Sequence, residues 1–265
     1  MERNDAPIAY RAQEAVATIT LDAPERRNAL STHLIAEMRT ALARAVADRD
    51  VRVVVIDHAG PVFCAGADLK ESVAAHSLAA LPAAHLAELL ADITEAPKPV
   101  VAVVRGAARG GGLGLIAAAD FTVAHLEVPM AFSEVRLGVV PAVIGPVVAR
   151  RITPARMREL FLAGGGLVLD EGDADVFTAE DAADWGLVTT AVYDEHLDAV
   201  VQSLVKRLKL GGPSAQAGIK ALTATPDLRD QLRKAAAVTG DYFFSEEGRE
   251  GTRSFLEKRP PSWVG

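Results

Sequence analysis

The segment at residues 100–120 constrains the fold of this chain more than any other. An apolar run at residues 100–104 predicts a buried strand, and a small-residue apolar run at residues 113–119 predicts a helix. Between them stand Gly106, Gly110, Gly111 and Gly112. A helix N-terminus presents free N–H groups and about +0.5 elementary charge, and glycines allow a ligand to come close. The segment predicts a backbone site for an oxyanion or a phosphate at Gly111.

The same glycines could instead form a tight turn packed under a sheet. They are not a nucleotide P-loop, because no Gly-Lys-Ser/Thr follows them. They also lack the G-x-G-x-x-G pattern with an acidic residue about 20 positions further on. If a site exists here, its second half has to come from another part of the chain.

Composition excludes several classes of protein. A net charge of −7 argues against nucleic acid as the main partner, because binding phosphates requires clustered Lys and Arg. The single cysteine, Cys64, excludes an internal disulfide and suits a reducing compartment. No CxxC or His/Cys cluster suggests zinc, so we expect no metal. The sequence has no signal-peptide pattern and no apolar run of about 18 residues. We expect a cytoplasmic protein that binds neither nucleic acid nor membrane.

Hydrophobic periodicity divides the chain into two parts. Strands are predicted at residues 8–11, 16–21, 51–57, 121–124, 130–132 and 187–192, with the first two forming a pair. Helices are predicted behind the N-cap Ser31, at residues 72–97 with a joint near Pro82, and at residues 147–151, 154–163 and 179–185. After residue 194 only helices are predicted, and we expect this tail to dock on the rest of the chain. Its apolar stripe from Leu197 to Leu208 suits either an interface or a core-facing helix.

Two loops of similar design suggest a common site. The loops FCAGADLK and RGAARGGGLGL each follow a predicted buried strand and enter a helix, the first of them at Asp68. Two N–H groups converging from such loops could polarise one carbonyl oxygen, and each donor is worth about 2.7–4 kcal/mol of barrier. Glu134 lies in an apolar segment that would raise its pKa towards neutrality, as acid–base catalysis requires. A solvated turn residue is the alternative explanation for Glu134.

Three stretches resemble the enoyl-CoA hydratase/isomerase (crotonase) superfamily: FCAGADLKE at residues 63–71, the glycines at 110–112, and SEVRLGVVPAVIGP at 133–146. The stretches AADWGLV and FLEKRPPSW resemble weaker family motifs. The resemblance implies an α/β fold, a crotonase-like spiral of ββα units at residues 1–195, and a helical C-terminal trimerisation region at residues 196–265. It also implies an acyl-CoA substrate of fatty acid metabolism, no further cofactor, and a homotrimer or a hexamer made of two trimers.

Matched position by position, the resemblance implies an oxyanion hole made by the N–H groups of Ala67 and Gly111. Two glutamates handle water and proton in hydratases of this family. The second matches Glu134, whereas the position of the first is Gly114, which can neither activate water nor give a proton. Hydration of a trans-2-enoyl-CoA by Glu134 alone is the leading expectation. A single-glutamate enoyl-CoA isomerase, another acyl-CoA reaction and a catalytically impaired acyl-CoA-binding protein are the alternatives. Asp120, His125 and Arg136 are candidates to replace the missing acid.

The resemblance also implies where CoA binds. The family binds adenine along the loops matching residues 25–28 and 65–69, here with Ala65, Gly66, Asp68 and Leu69, and Arg26 and Arg27 add charge there. Lys258 matches a lysine that reaches a CoA phosphate from a neighbouring subunit. Solvated cations are the alternative for all three basic residues. Gly138 and Pro141 match the acyl pocket. An inserted loop at residues 164–178 carries acids that lack the order of a calcium loop: Asp170, Glu171, Asp173 and Asp175.

Overall fold

The computed structural model describes residues 6–166 and 176–264, and within these the chain forms ten strands and eleven α-helices. The strands are β1 (Ile8–Gln13), β2 (Val16–Leu21), β3 (Val53–His58), β4 (Val62–Cys64), β5 (Val100–Val104), β6 (Ala107–Arg109), β7 (Phe121–His125), β8 (Pro129–Ala131), β9 (Phe177–Thr178) and β10 (Thr190–Val192).

The helices are α1 (Thr32–Ala47), α2 (Leu69–Ala74), α3 (Pro82–Glu95), α4 (Gly111–Ala118), α5 (Gly145–Val148), α6 (Pro154–Ala163), α7 (Ala179–Asp184), α8 (Asp194–Leu210), α9 (Pro213–Leu222), α10 (Leu228–Phe243) and α11 (Glu246–Leu256). Short 3₁₀ helices cover Pro24–Arg26, Leu78–Ala80, Ser133–Leu137 and Ala142–Ile144.

The strands form two sheets that the chain visits in turn. The larger sheet has the order β1-β2-β3-β5-β7-β10 and the smaller one the order β4-β6-β8-β9. Three successive strand pairs, β3 with β4, β5 with β6 and β7 with β8, each contribute one strand to each sheet. Their neighbours within a sheet pair in parallel, which requires the chain to return by a crossover each time. The result is the predicted spiral of strand–strand–helix units.

The larger sheet is covered on both faces. In β3, Val54 and Ile56 belong to the main core together with α1 and α3, while Val53 and Val55 face the opposite side. The helix α8 packs on that opposite side through the stripe predicted from the sequence, which comprises Leu197, Val200, Val201, Leu204, Val205 and Leu208. The core-facing interpretation of this stripe is therefore confirmed. The predicted domain boundary after residue 195 falls inside the first turn of α8, so the start of the helical tail is part of the core.

Most predicted elements are present, and the differences have simple causes. The pairing of β1 with β2, the buried β5 and a break between helices near Pro82 are confirmed, with α2 ending at Ala74 and α3 beginning at Pro82. The strands β4, β6 and β9 have three residues or fewer, too short to show an alternating pattern, and they were not predicted. The helix α4 begins at Gly111, two residues earlier than predicted, because its first turn consists of glycines. Strand β10 is shorter than predicted.

Helix α10, in the helical tail, docks on α3 through an ion-pair cluster, as expected of a tail that docks. Arg229 lies 2.7 Å from Glu88, 2.9 Å from Asp92 and 2.7 Å from Glu95. Arg233 adds a contact of 2.6 Å to Glu88, and its hydrogen bond is the main reason that the pKa of Glu88 is lowered. Because several carboxylates surround one guanidinium group, this network is more stabilising than an isolated ion pair on the surface. Oligomerisation through the tail stays a prediction.

A buried asparagine fixes the connection between β2 and α1. Asn28 is fully buried, and its Oδ1 accepts a hydrogen bond of 2.9 Å from the N–H of Ala23. Its Nδ2 donates to the carbonyl oxygens of Ala59 at 3.1 Å and Val62 at 2.8 Å. One side chain thus ties the turn at residues 24–28 to the segment that joins β3 to β4.

We predict that Asn28→Ala lowers the free energy of unfolding by about 2–4 kcal/mol, because it removes three hydrogen bonds and leaves buried partners unsatisfied. Denaturant titration followed by circular dichroism measures the change. Arg26→Ala, an exposed substitution in the same turn, is the control and should change stability by less than about 0.5 kcal/mol. Equal effects of the two substitutions would contradict this role for Asn28.

Candidate active site

The parallel pairing of β4 with β6 brings the two predicted loops together. The chain leaves β4 into residues 65–68, and it leaves β6 through Gly110 into α4. Gly66 has φ = +90°, a conformation that glycine adopts readily. A Cβ at Gly66 would lie 3.3 Å from the Arg109 carbonyl oxygen and 3.8 Å from the Gly111 nitrogen. The loops are therefore in direct contact at Gly66 and Gly111.

Two backbone amides at this contact have no acceptor within residues 6–166 and 176–264. The bridge between Leu30 and Ala67 uses the Leu30 N–H, which donates to Gly66, and the Asp68 N–H, which donates to Leu30. It leaves the Ala67 N–H without an acceptor. Gly111 is the first residue of α4, where an N–H has no intrahelical partner. The Ala67 nitrogen lies 3.9 Å from the position of a Cβ on Gly111, so the two amides are neighbours.

The loop after β4 is anchored on both sides. The Asp68 side chain is the N-cap of α2 and accepts hydrogen bonds from Lys70 at 3.0 Å and Glu71 at 3.1 Å. On the other side, the Ala65 N–H donates to the Arg27 carbonyl oxygen at 3.0 Å. The structure therefore brings together the two loops predicted to bind CoA, residues 25–28 and 65–69. The Arg26 and Arg27 side chains are exposed beside them.

Glu134 lies against the glycine loop. It follows β8 in the 3₁₀ helix Ser133–Leu137, and its carboxyl group occupies the space next to the α-carbon of Gly110. A Cβ on Gly110 would lie 2.5 Å from Glu134 Oε1, so a larger residue would displace the carboxyl group, and the φ of +45° at Gly110 also favours glycine. Glu134 Oε2 is buried and has no hydrogen-bond partner in the described part of the chain. Burial raises the pKa of Glu134 to about 7, against a smaller opposing effect of its own backbone. This carboxyl group can exchange a proton near neutral pH.

The position of the missing glutamate is surrounded by hydrocarbon. Gly114 lies in α4, four residues after the N-cap Gly110, and is buried. A Cβ on Gly114 would be 2.6 Å from Ile144 Cγ2 and 3.5 Å from Leu90 Cδ1. Ile144 and Leu90 are themselves buried. We call Gly114, Ile144 and Leu90 the apolar wall of the site.

None of the polar residues considered as a replacement is among the atoms nearest to Gly114. Asp120 forms an ion pair of 2.5 Å with Lys220 and accepts a hydrogen bond of 2.8 Å from the Val100 N–H. His125 ends β7, where its Nδ1 accepts from the Glu127 N–H at 3.2 Å. Arg136 packs its side chain against Gly164. Asp120 and His125 thus have structural roles of their own.

The remaining predicted site residues lie in different parts of the structure. Pro141 is buried in the turn that leads to Ile144, next to the apolar wall. Gly138 instead packs on the backbone of α11, where a Cβ would lie 2.7 Å from the Glu247 carbonyl oxygen. Lys258 is exposed after the end of α11, and its role towards a neighbouring subunit stays a prediction. Of the inserted loop, the acids Asp170, Glu171, Asp173 and Asp175 lie outside the described residues.

Sequence reasoning missed Asn28, Leu90, Ile144 and Thr239, a residue of α10 that contacts the turn before Ile144. Only Asn28 carried a local signal, as an asparagine in a turn.

Within the described residues no group of three or more His, Cys, Asp or Glu is placed to hold a metal ion. The helices of that part are all too short or too polar to cross a bilayer.

Together, the two alternating sheets and the helices around them form the crotonase fold. The model of the family described as enoyl-CoA hydratase/isomerase matches residues 11–265, and the chain belongs to this family. An enoyl-CoA hydratase from Mycobacterium avium superposes with a TM-score of 0.83 at 35% identity, covering 98% of this chain and 100% of that one.

Two curated relatives show the range of names in the family. The Rhodobacter capsulatus protein named "Probable enoyl-CoA hydratase" is 33% identical over 97% of this chain and 98% of its own length. The trans-2-decenoyl-[acyl-carrier-protein] isomerase of Streptococcus mutans is 30% identical over 97% of this chain and 98% of its own length. Similarity to relatives at these identities supports an enzyme of this family. It does not distinguish hydration from isomerisation, so that question has to be answered from the residues of the site.

We predict that Glu134 makes stability depend on pH. Between pH 4.5 and about 7 the unfolded chain has released the Glu134 proton while the folded chain retains it, so stability falls as pH rises through this window. The loss is about 3 kcal/mol. Glu134→Gln removes it, so the stability of the variant relative to wild type increases from pH 4.5 to pH 8. Chemical denaturation at several pH values measures this, with the exposed Glu25→Gln as control. Parallel pH profiles for wild type and Glu134→Gln would contradict it.

Proposed function

We propose that this protein is an acyl-CoA enzyme in which the Ala67 and Gly111 N–H groups bind the thioester oxygen and Glu134 is the acid–base group. One observation carries the proposal: a carboxyl group whose buried Oε2 has no hydrogen-bond partner in the described chain lies against Gly110, beside two amides that have no acceptor there. Preorganised N–H donors of this kind stabilise the negative charge that develops on a thioester oxygen when an enolate forms. A pKa of about 7 lets Glu134 both give and accept a proton at neutral pH.

Hydration of a trans-2-enoyl-CoA is the reaction we place first. Water held by Glu134 gives its oxygen to the β-carbon, the enolate charge rests on the thioester oxygen, and Glu134 delivers a proton to the α-carbon and regains one from the water. The product is a 3-hydroxyacyl-CoA. The similarity to relatives named as hydratases supports this assignment.

Isomerisation of an enoyl-CoA is the second candidate, and the apolar wall favours it. Glu134 would remove a proton from the α-carbon of a 3-enoyl thioester and return it to the γ-carbon, so the double bond moves into conjugation. This reaction needs one acid–base group and no water. Gly114, Ile144 and Leu90 supply no polar group to hold water opposite Glu134. The similarity to the trans-2-decenoyl-[acyl-carrier-protein] isomerase supports this candidate.

The loops at residues 25–28 and 65–69 are the CoA-binding segments in this proposal. Their backbones are joined by the hydrogen bond between Ala65 and Arg27, and Arg26 and Arg27 place two cations beside them. Cations there suit the phosphates of CoA, because Arg pairs with phosphate oxygens through several hydrogen bonds. Lys258 of a neighbouring subunit in a trimer or hexamer would add a further cation. The CoA thioester is the substrate, and no other cofactor is invoked.

We predict that the purified protein turns over an enoyl-CoA and that Glu134→Gln slows turnover about a hundredfold to ten-thousandfold. Loss of enoyl absorbance with crotonyl-CoA indicates hydration, whereas a rise in absorbance with a 3-enoyl-CoA indicates isomerisation. Affinity for CoA should change little, because the CoA loops are separate from Glu134. Glu127→Gln is the matched control, because Glu127 is an exposed glutamate in the turn between β7 and β8. Full activity of Glu134→Gln would exclude Glu134 as the acid–base group.

We predict that a second acid at position 114 requires removal of the Ile144 side chain. Gly114→Glu alone clashes with Ile144 Cγ2 and should cost about 1–3 kcal/mol of stability through overpacking. The double variant Gly114→Glu/Ile144→Ala has room for the carboxylate and should hydrate crotonyl-CoA about tenfold faster than Ile144→Ala, its control. Initial rates and melting temperatures measure both effects. Equal rates would mean that position 114 does not face the reacting carbons.

A further inference from the structure

We propose that Thr239 of α10 is a positioning residue that holds the apolar wall in place and thereby sets which acyl chain lengths the site accepts. The inference rests on the proposed function, because it assumes an acyl thioester held at Ala67 and Gly111. Helix α10 contributes no atom to the proposed chemistry, and its role would be to support the apolar wall.

The apolar wall stands where an acyl chain would continue. Gly110 is the N-cap of α4 and Gly114 lies four residues further on inside the helix, a rise of about 6 Å along the helix axis. A thioester whose oxygen meets the Gly111 N–H and whose α-carbon lies near Glu134 therefore extends towards Gly114 within a few carbon atoms. There the chain meets Ile144 and Leu90, which are both buried. The space left for the acyl chain depends on the position of Ile144.

The hydroxyl of Thr239 braces the turn that carries Ile144. Its Oγ1 accepts a hydrogen bond of 3.0 Å from the Val143 N–H and donates one of 3.3 Å to the Val140 carbonyl oxygen. Thr239 is 8% exposed, so water does not readily replace these bonds. One side chain thus joins both ends of the turn around Pro141, and Ile144 is the next residue. Without the hydroxyl, the Val143 N–H would be left unsatisfied and the turn would be free to shift.

The helix α10 does not depend on Thr239 for its own docking. Arg229, at its N-terminal end, contacts Glu88, Asp92 and Glu95 on α3. Leu232 and Ala236 are buried on the same helix, and Gly240 packs against Leu78 and Leu81. These contacts hold α10 in place when the hydroxyl is removed. The effect of such a change should therefore be confined to the turn and the wall.

The experiment compares Thr239→Val, which keeps the shape and loses the hydroxyl, with Thr239→Ser, which keeps the hydroxyl. Isothermal titration calorimetry measures the affinities of butyryl-CoA and decanoyl-CoA for wild type, both variants and Ile144→Ala. We expect the preference for decanoyl-CoA over butyryl-CoA to rise about tenfold in Thr239→Val and in Ile144→Ala. In Thr239→Ser the preference should stay at the wild-type value. If Thr239→Val does not fold, Thr239→Ala also lacks the hydroxyl, and the same rise is expected of it.

Three results would overturn the inference. The first is an unchanged preference in Thr239→Val, or a uniform loss of affinity for both esters, which would indicate a structural role only. The second is an equal rise in Thr239→Ser, and the third is an unchanged preference in Ile144→Ala. Binding also separates the two proposals, because a protein that binds both esters but turns over no enoyl-CoA contradicts the proposed function alone. Absence of any acyl-CoA binding would overturn both.

Discussion

The parallel pairing of β4 with β6 is the contact on which the candidate site depends. Each strand has three residues, and each opens directly into a glycine loop. Because parallel neighbours end at the same edge of a sheet, the pairing places Ala67 beside Gly111 and leaves both amides without an acceptor in the described chain. The hydrogen bond from Asn28 to the Val62 carbonyl oxygen helps to hold β4 in its register with β6. The oxyanion-binding role that we propose for the amides follows from that register.

A second constraint is the burial of one carboxyl group without a partner. Leaving a polar atom unpaired in the interior destabilises a fold, and such atoms are uncommon in native proteins. In this protein the desolvation that lowers stability also raises the pKa of Glu134 to about 7, where a carboxyl group can donate and accept a proton. Gly110 makes the arrangement possible, since any side chain at that position would occupy the space of the Glu134 carboxyl. Stability and the proposed chemistry are therefore linked through one residue.

The apolar wall distinguishes this chain from a site with two acids. In place of the first acid, this chain has Gly114, and the methyl group of Ile144 fills the space where a side chain at position 114 would lie. The difference from the two-glutamate pattern therefore involves two residues whose shapes fit each other. Such complementary filling is expected in a core packed at crystal-like density. The C-terminal half of the chain takes part as well, because α10 contacts the turn before Ile144 through Thr239 and contacts α3 through Arg229. The part of the chain that shows only helical patterns thus contributes to the shape of the proposed acyl site.

Residue patterns along the chain were enough to predict the buried strands β2, β3 and β5, the helix starts at Ser31 and Asp68, a break near Pro82, the family, and Glu134 as an acid in apolar surroundings. These features depend on neighbours in the chain, where periodicity, caps and motif order carry the information. Three-dimensional packing was needed to show that α8 covers the sheet, that Asp120 is paired with Lys220, and that Ile144 fills the space beside Gly114. Strands of two or three residues, ion pairs and packed methyl groups join residues far apart in the chain, and no local pattern records such contacts.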